Sequence, residues 1–180
     1  TACQIMRTPL IHHSGGDVTQ GATDNQYRYA ITNMAHLHFV ALEYHAERLR
    51  RCGEEPWRIK VVGEPALEQV GELNLLEHQE LCRELEIPSG KPFVLATFHP
   101  TTTEQEFVRE QTIHYCRILA SLSHHVVLTA PNPDQGSLEI YQALRGLAEE
   151  HTHISFRENL GTYLFYNCMA QARFMIGNSS

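Results

Sequence analysis

Phe93-Val94-Leu95-Ala96-Thr97-Phe98-His99-Pro100-Thr101-Thr102-Thr103-Glu104-Gln105-Glu106 decides the fold. Its first five residues form an apolar run with no polar alternation, the mark of a strand covered on both faces, as in a parallel sheet. Phe98-His99-Pro100 breaks the run. Thr103-x-x-Glu106 is a capping box, and the helix it opens is expected to reach about Leu122. Downstream, His125 to Ala130 reads as a strand, 131–136 as a loop and Ser137 to Glu150 as a helix. Ile154 to Phe156 is a short strand, Tyr163 to Gln171 a helix and Phe174 to Ile176 a last strand. Strands alternating with helices indicate a parallel α/β sheet.

The same alternation runs upstream. Pro9 to His12 ends a strand, 13–17 is a loop, and Thr23-x-x-Gln26 is a second capping box for a helix from about Asp24 to Met34. Leu37 to Ala41 is a strand, Tyr44 to Cys52 a helix and Trp57 to Val62 a strand. Between the two series lies a charged, helical stretch. The expected division is a first α/β unit over 1–65, a helical linker over 66–91 and a second unit over 92–180.

Composition is that of a globular protein: 42% hydrophobic and 19% charged residues among 180. The net charge of −7 and the lack of a basic run weigh against nucleic acid as a partner. No stretch approaches the roughly 20 apolar residues of a membrane span, so no membrane partner is expected. Five scattered cysteines without a CxxC fit reduced thiols in the cytoplasm. The twelve histidines show no metal-ligand spacing, and neither a metal nor an organic cofactor is expected.

In parallel sheets, ligands bind beyond the carboxyl ends of the strands. Four polar loops fall there: 12–17, 99–102, 131–134 and 177–180. Gly177-Asn178-Ser179-Ser180 after an apolar strand reads as the start of a phosphate-binding strand-to-helix turn. With Thr1 at one end and that turn at the other, the chain reads as the middle of a longer enzyme. Asp24 sits in the first turn of a helix, favoured by the dipole. Arg28, four residues on, shares its face and is placed to pair with it. His36 and His38 have the spacing of one strand face.

These residues carry a resemblance. His12-x-x-Gly15-Gly16-Asp17-x-Thr19-x-Gly21-x-x-Asp24-x-x-x-Arg28-x-Ala30-Ile31-Thr32-x-Met34-Ala35-His36-x-His38-Phe39 closely resembles the hydrolysing UDP-N-acetylglucosamine 2-epimerases. Phe98-His99-Pro100-x-Thr102-Thr103, Pro131-Asn132-x-Asp134-x-Gly136 and Ile176-Gly177-Asn178-Ser179-Ser180 resemble later motifs of that family, in order. The likeness spans the chain but only about the middle half of a family member. It implies a GT-B-like fold, here parts of two Rossmann-like domains with parallel sheets. The implied reaction takes UDP-GlcNAc and water to N-acetylmannosamine and UDP through C2 deprotonation, UDP elimination and hydration.

Carried over by position, the catalytic set is Asp24, His12, His36 and His38, and the UDP-binding set is His99, Asn132, Ser179, Ser180 and Arg28. Ser14 stands where some members carry a catalytic Glu and others His, which passes that role to Asp17, His13 or a residue outside the chain. Tyr29 stands where His is common. The expected partners are a UDP-sugar and, for the full-length parent, further copies of itself as a dimer or tetramer. The competing readings are a GT-B glycosyltransferase and an inactive truncated UDP-binding module. The 180 residues alone are expected to be inactive.

Overall fold

The computed structural model describes residues 2–20, 22–100 and 105–178. Two units emerge, Thr1–Glu72 and Leu73–Ser180. The first contains α1 (Ala2–Ile5), β1 (Ile11–His13), α2 (Asp24–Met34), β2 (Leu37–Val40), α3 (Glu43–Arg51), β3 (Ile59–Val61) and α4 (Pro65–Glu72). Its parallel sheet has the order β1-β2-β3, and His12, His38 and Ile59 stand in register. Right-handed crossovers between successive neighbours place α2 and α3 on one face. Contacts agree: Thr32 of α2 bonds His12, while Ala46 and Leu49 of α3 bury against Val40 and Ile59. Burying each larger aliphatic side chain here contributes about 1.5–3 kcal/mol. The start of α2 differs from the capping box the sequence suggests. Thr23 has helical angles (φ −68°, ψ −17°) and its hydroxyl does not cap. The Gln26 N–H donates to the Thr23 carbonyl instead, at 3.0 Å. Pro56–Arg58 forms a 3₁₀ turn, so β3 begins two residues after Trp57.

The second unit contains α5 (His78–Glu84), β4 (Phe93–Thr97), α6 (Val108–Ser121), β5 (His125–Thr129), α7 (Ser137–Glu150), β6 (Ile154–Arg157), α8 (Gly161–Gln171) and β7 (Met175–Gly177). Its parallel sheet runs β6-β5-β4-β7. All five residues of β4 are buried, as its unbroken apolar run requires. Alternation splits the core. Ala96, Val126 and Leu128 pack against Tyr115 and Leu119 of α6 and Ile140 and Leu144 of α7. Phe93, Leu95 and Val127 face Leu81 and Cys82 of α5 and Cys168 of α8. α6 opens after a 3₁₀ turn, Gln105–Phe107; Thr103 of the expected capping box lies outside the described residues.

The stretch 66–91, expected as a linker, does not behave as one body. α4 falls in the first unit, and α5 is core of the second. Residues 74–76 are tied to α8: the Tyr163 hydroxyl donates to the Asn74 carbonyl (2.8 Å), and the Leu76 N–H donates to Oδ1 of the fully buried Asn167 (2.7 Å). The charges of α5 sit on its outer side, while Leu81, Cys82 and Leu85 supply the apolar face a linker lacks.

Candidate functional site

In the first unit the carboxyl end of β1 turns sharply into a loop packed on β2 and both helices. Ser14 adopts a left-handed conformation (φ 62°), donates its N–H to the Phe39 carbonyl (2.9 Å) and holds Oγ 2.8 Å from His13 Nδ1. Gly16 also has positive φ (+76°), and a Cβ there would lie 2.4 Å from the His45 carbonyl oxygen. Only glycine permits this approach. Arg28 reaches back from α2 to the Asp17 carbonyl and to Asn25 Oδ1, each at 3.2 Å. It does not pair with Asp24, contrary to the expectation from their spacing: the tight loop offers a closer acceptor. Asp24 stands exposed in the first turn of α2.

Of the three histidines in the expected catalytic set, His12 and His38 stay together and His36 is set apart. His12 is buried, its Nδ1 3.1 Å from Thr32 Oγ1. Burial, then the neighbouring His38, Arg28 and His13, pushes its pKa below the usual imidazole value, favouring the neutral ring. His38 is fully buried in mid-strand, its Nε2–H donating to Glu54 Oε2 at 3.0 Å, with Arg58 on the same carboxylate at 3.0 Å. The His12 and His38 ring centroids are 6.3 Å apart. His36 precedes β2 at the opposite, amino edge of the sheet, and its Nδ1 accepts the Leu10 N–H (3.1 Å). Spacing two gives a shared face only inside a strand, and His36 lies outside it. The structure therefore does not gather His36 with Asp17 and Asp24. Among the described residues no three His, Cys, Asp or Glu side chains converge as metal ligands.

In the second unit, loops at the carboxyl ends of β4, β5 and β6 and the start of α8 enclose a cavity of about 800 Å³. Its lining includes Thr97, His99, Asn132 and Glu158 together with Phe165 and Met169. His99 is the hub. The Asn132 N–H donates to its Nδ1 (3.0 Å), which leaves Nε2 as the protonated nitrogen facing Thr97 Oγ1 (3.0 Å). Burial lowers the His99 pKa and outweighs the opposing pull of Asp134, which favours the neutral ring. Both ring nitrogens are thereby engaged within the protein, and His99 holds the Asn132 loop. The His99 main chain is held in turn by Asn178: its N–H donates to Asn178 Oδ1 (2.8 Å), and Asn178 Nδ2 donates to its carbonyl (2.9 Å).

Two further residues lock this edge. A Cβ on Gly177 would sit 1.7 Å from the Thr97 carbonyl oxygen, so β7 can pair with β4 here only as glycine. The Tyr115 hydroxyl donates to the carbonyls of Ile176 (2.9 Å) and Thr97 (3.2 Å), and burial pushes its pKa up. Thr101, Thr102, Ser179 and Ser180 lie outside the described residues. Sequence reasoning passed over Tyr115, Asn178 as a side-chain clamp, and the cavity face of α8. Phe165 and Met169 read simply as apolar helix positions, and only the fold turns them toward the cavity.

The second unit is a parallel α/β sheet whose loop-lined cavity lies at the carboxyl ends of its strands, where such sheets take ligands. Residues 1–180 match the family described as UDP-N-acetylglucosamine 2-epimerase, and the chain belongs to that family. It is 32% identical to a GDP/UDP-N,N'-diacetylbacillosamine 2-epimerase (hydrolyzing) of Campylobacter jejuni, across 100% of this chain and 47% of that protein. It is 29% identical to a UDP-N-acetylglucosamine 2-epimerase of Neisseria meningitidis, across 99% and 47%. The chain thus spans about half the length of these relatives. Its fold is that of a UDP-GlcNAc 2-epimerase from Neisseria meningitidis solved with UDP-GlcNAc bound, with a TM-score of 0.76 at 13% identity over 99% of this chain and 50% of the other. An S. aureus MnaA–UDP structure gives 0.73 at 18% identity, over 99% and 48%. No helix among the described residues is long and apolar enough to cross a membrane.

Proposed function

We propose that the complete protein is a hydrolysing UDP-N-acetylglucosamine 2-epimerase, acting on UDP-GlcNAc or a related UDP-2-acetamido sugar and releasing UDP and the free C2 epimer. The observation that carries this reading is the Asn178–His99–Asn132 network at the edge of the 800 Å³ cavity, in a chain matched throughout to the UDP-N-acetylglucosamine 2-epimerase family. The network fixes three strand ends before a ligand arrives, and such preorganisation lowers the entropy cost of binding. Asn132, Ser179 and Ser180 bind the UDP moiety, with the serines on the diphosphate. His99 supports them from behind, and the apolar side of the cavity at Phe165 suits a base ring.

The first unit supplies the acid–base groups. Epimerisation at C2 takes one proton off and puts one back on the other face, so it needs two such groups. Asp17 and Asp24 are the carboxylates open to solvent near the β1 loop and the α2 start. Loss of UDP leaves a 2-acetamidoglucal, to which water adds. His12, neutral and bonded to Thr32, keeps the β1 strand end in place. The five free thiols accord with a cytoplasmic enzyme. The test is UDP release from UDP-GlcNAc by the complete protein and by Asp24→Asn. A fall in turnover of about a hundredfold or more with UDP affinity kept supports the assignment. Normal turnover in the variant contradicts it.

A further inference from the structure

We propose that His45 of α3 is the proton partner of Asp17, an inference that rests on the epimerase reading above. Asp17 Oδ1 lies 3.6 Å from His45 Nε2. The two side chains are unequally exposed: 47% for Asp17 and 13% for His45. The carboxylate faces outward, and the imidazole stands behind it. Three features hold this arrangement. Gly16 lets the loop approach within contact of the His45 main chain, which a Cβ would block at 2.4 Å. Arg28 holds the Asp17 carbonyl from α2 at 3.2 Å. The Val18 N–H donates to Asp17 Oδ1 at 2.7 Å and fixes the carboxylate rotamer.

His45 itself is poorly served as a structural residue. Its Nδ1 is buried and meets no hydrogen-bond partner among the described residues. An imidazole that served packing alone would be replaced at no loss by an apolar side chain of like shape, because an unmet buried nitrogen costs stability. The Tyr44 ring, 6.0 Å away, is the aromatic neighbour on its own helix.

The chemistry follows from Ser14. A serine at that position is no base at neutral pH, and the next side chain on the loop that carries a carboxylate is Asp17. A carboxylate alone is a weak base toward carbon. With an imidazole behind it, the proton need not remain on the carboxyl. Asp17 takes the C2 proton as the C2–H electron pair forms the C1=C2 bond and the C1–O pair leaves with UDP. The proton then passes from Asp17 to His45 Nε2, giving an imidazolium beside a restored carboxylate, and returns to solvent after turnover. His45 acts through Asp17 and is a positioning residue, not one that touches the sugar.

The experiment uses the complete protein, with UDP-GlcNAc as substrate, and compares wild type, His45→Gln, His45→Ala and Asp17→Asn. Turnover, KM, calorimetric UDP affinity and thermal midpoint are measured for each. His45→Gln and His45→Ala should lower kcat roughly 10–100-fold with KM and UDP affinity within about twofold of wild type. Added imidazole should restore part of the rate to His45→Ala and none to Asp17→Asn. A merely structural His45 would show neither the split between kcat and KM nor the rescue. Wild-type kcat in both His45 variants, or a loss that imidazole leaves untouched, overturns the pairing while the epimerase reading stands. A wild-type protein that releases no UDP overturns that reading, and the role of the pair with it.

Discussion

Replacing Asn178 with alanine removes both hydrogen bonds that join the end of β7 to the His99 main chain, at 2.8 and 2.9 Å. Each is a bond between neutral groups in a partly open setting, worth about 0.5–1.5 kcal/mol net, so the variant should lose about 1–3 kcal/mol of stability in the second unit. The larger effect should fall on the ligand. With His99 unclamped, its Nδ1 no longer holds the Asn132 N–H at 3.0 Å, and two of the three loops around the cavity must be ordered when UDP binds. A penalty of about 1.4 kcal/mol corresponds to a tenfold weaker Kd. Asn178→Asp sharpens the test. A carboxylate keeps an acceptor for the His99 N–H but places a second acceptor against its carbonyl, so it should bind UDP no better than alanine does. Calorimetric titration of UDP into both variants, beside thermal melts, reads the two effects separately. UDP affinity equal to wild type in Asn178→Ala would refute the claim that the clamp organises the cavity.

Gly177→Ala should cost roughly 3 kcal/mol, because its methyl overlaps the Thr97 carbonyl and forces β7 off β4, and urea denaturation measures this. Tyr115→Phe should cost about 1–2 kcal/mol by leaving the Ile176 and Thr97 carbonyls without their phenol donor, with the midpoint shift read by thermal melting. Stability should also depend on pH. His12, His99 and His125 all have pKa values lowered from 6.5 chiefly by burial, so the unfolded chain binds their protons first as pH falls. The stability they contribute is complete above about pH 6.5 and is lost as pH drops through the lowered values. Melts at pH 7.5 and 5.5 should show this fall, and His125→Gln should flatten it.

The strand–helix alternation was legible because β4 is apolar throughout and because small and polar residues punctuate the ends of most elements. Loop composition pointed to the carboxyl edges of both sheets for the same reason. Four things were hidden. α5 is charged on one side only, and composition averaged over 66–91 conceals the buried Leu81, Cys82 and Leu85. His36 and His38 look equivalent at spacing two, yet the strand begins between them, and one ring is exposed at the amino edge while the other is sealed in the sheet. Arg28 seemed placed for Asp24 by helical spacing, but a tertiary acceptor, the Asp17 carbonyl, outcompetes an exposed i,i+4 pair worth only a few tenths of a kcal/mol. Side-chain clamps such as Asn178 on His99 join residues 79 apart, a distance no local pattern reports.

The central claim is hydrolytic epimerisation, and the product formed in deuterium oxide tests it most directly. The complete protein is incubated with UDP-GlcNAc in D₂O, and the products are resolved by NMR and mass spectrometry. The account predicts UDP and free N-acetylmannosamine carrying one deuterium at C2. UDP-N-acetylmannosamine still joined to its nucleotide, a sugar transferred to an acceptor, or product with hydrogen retained at C2 would contradict it.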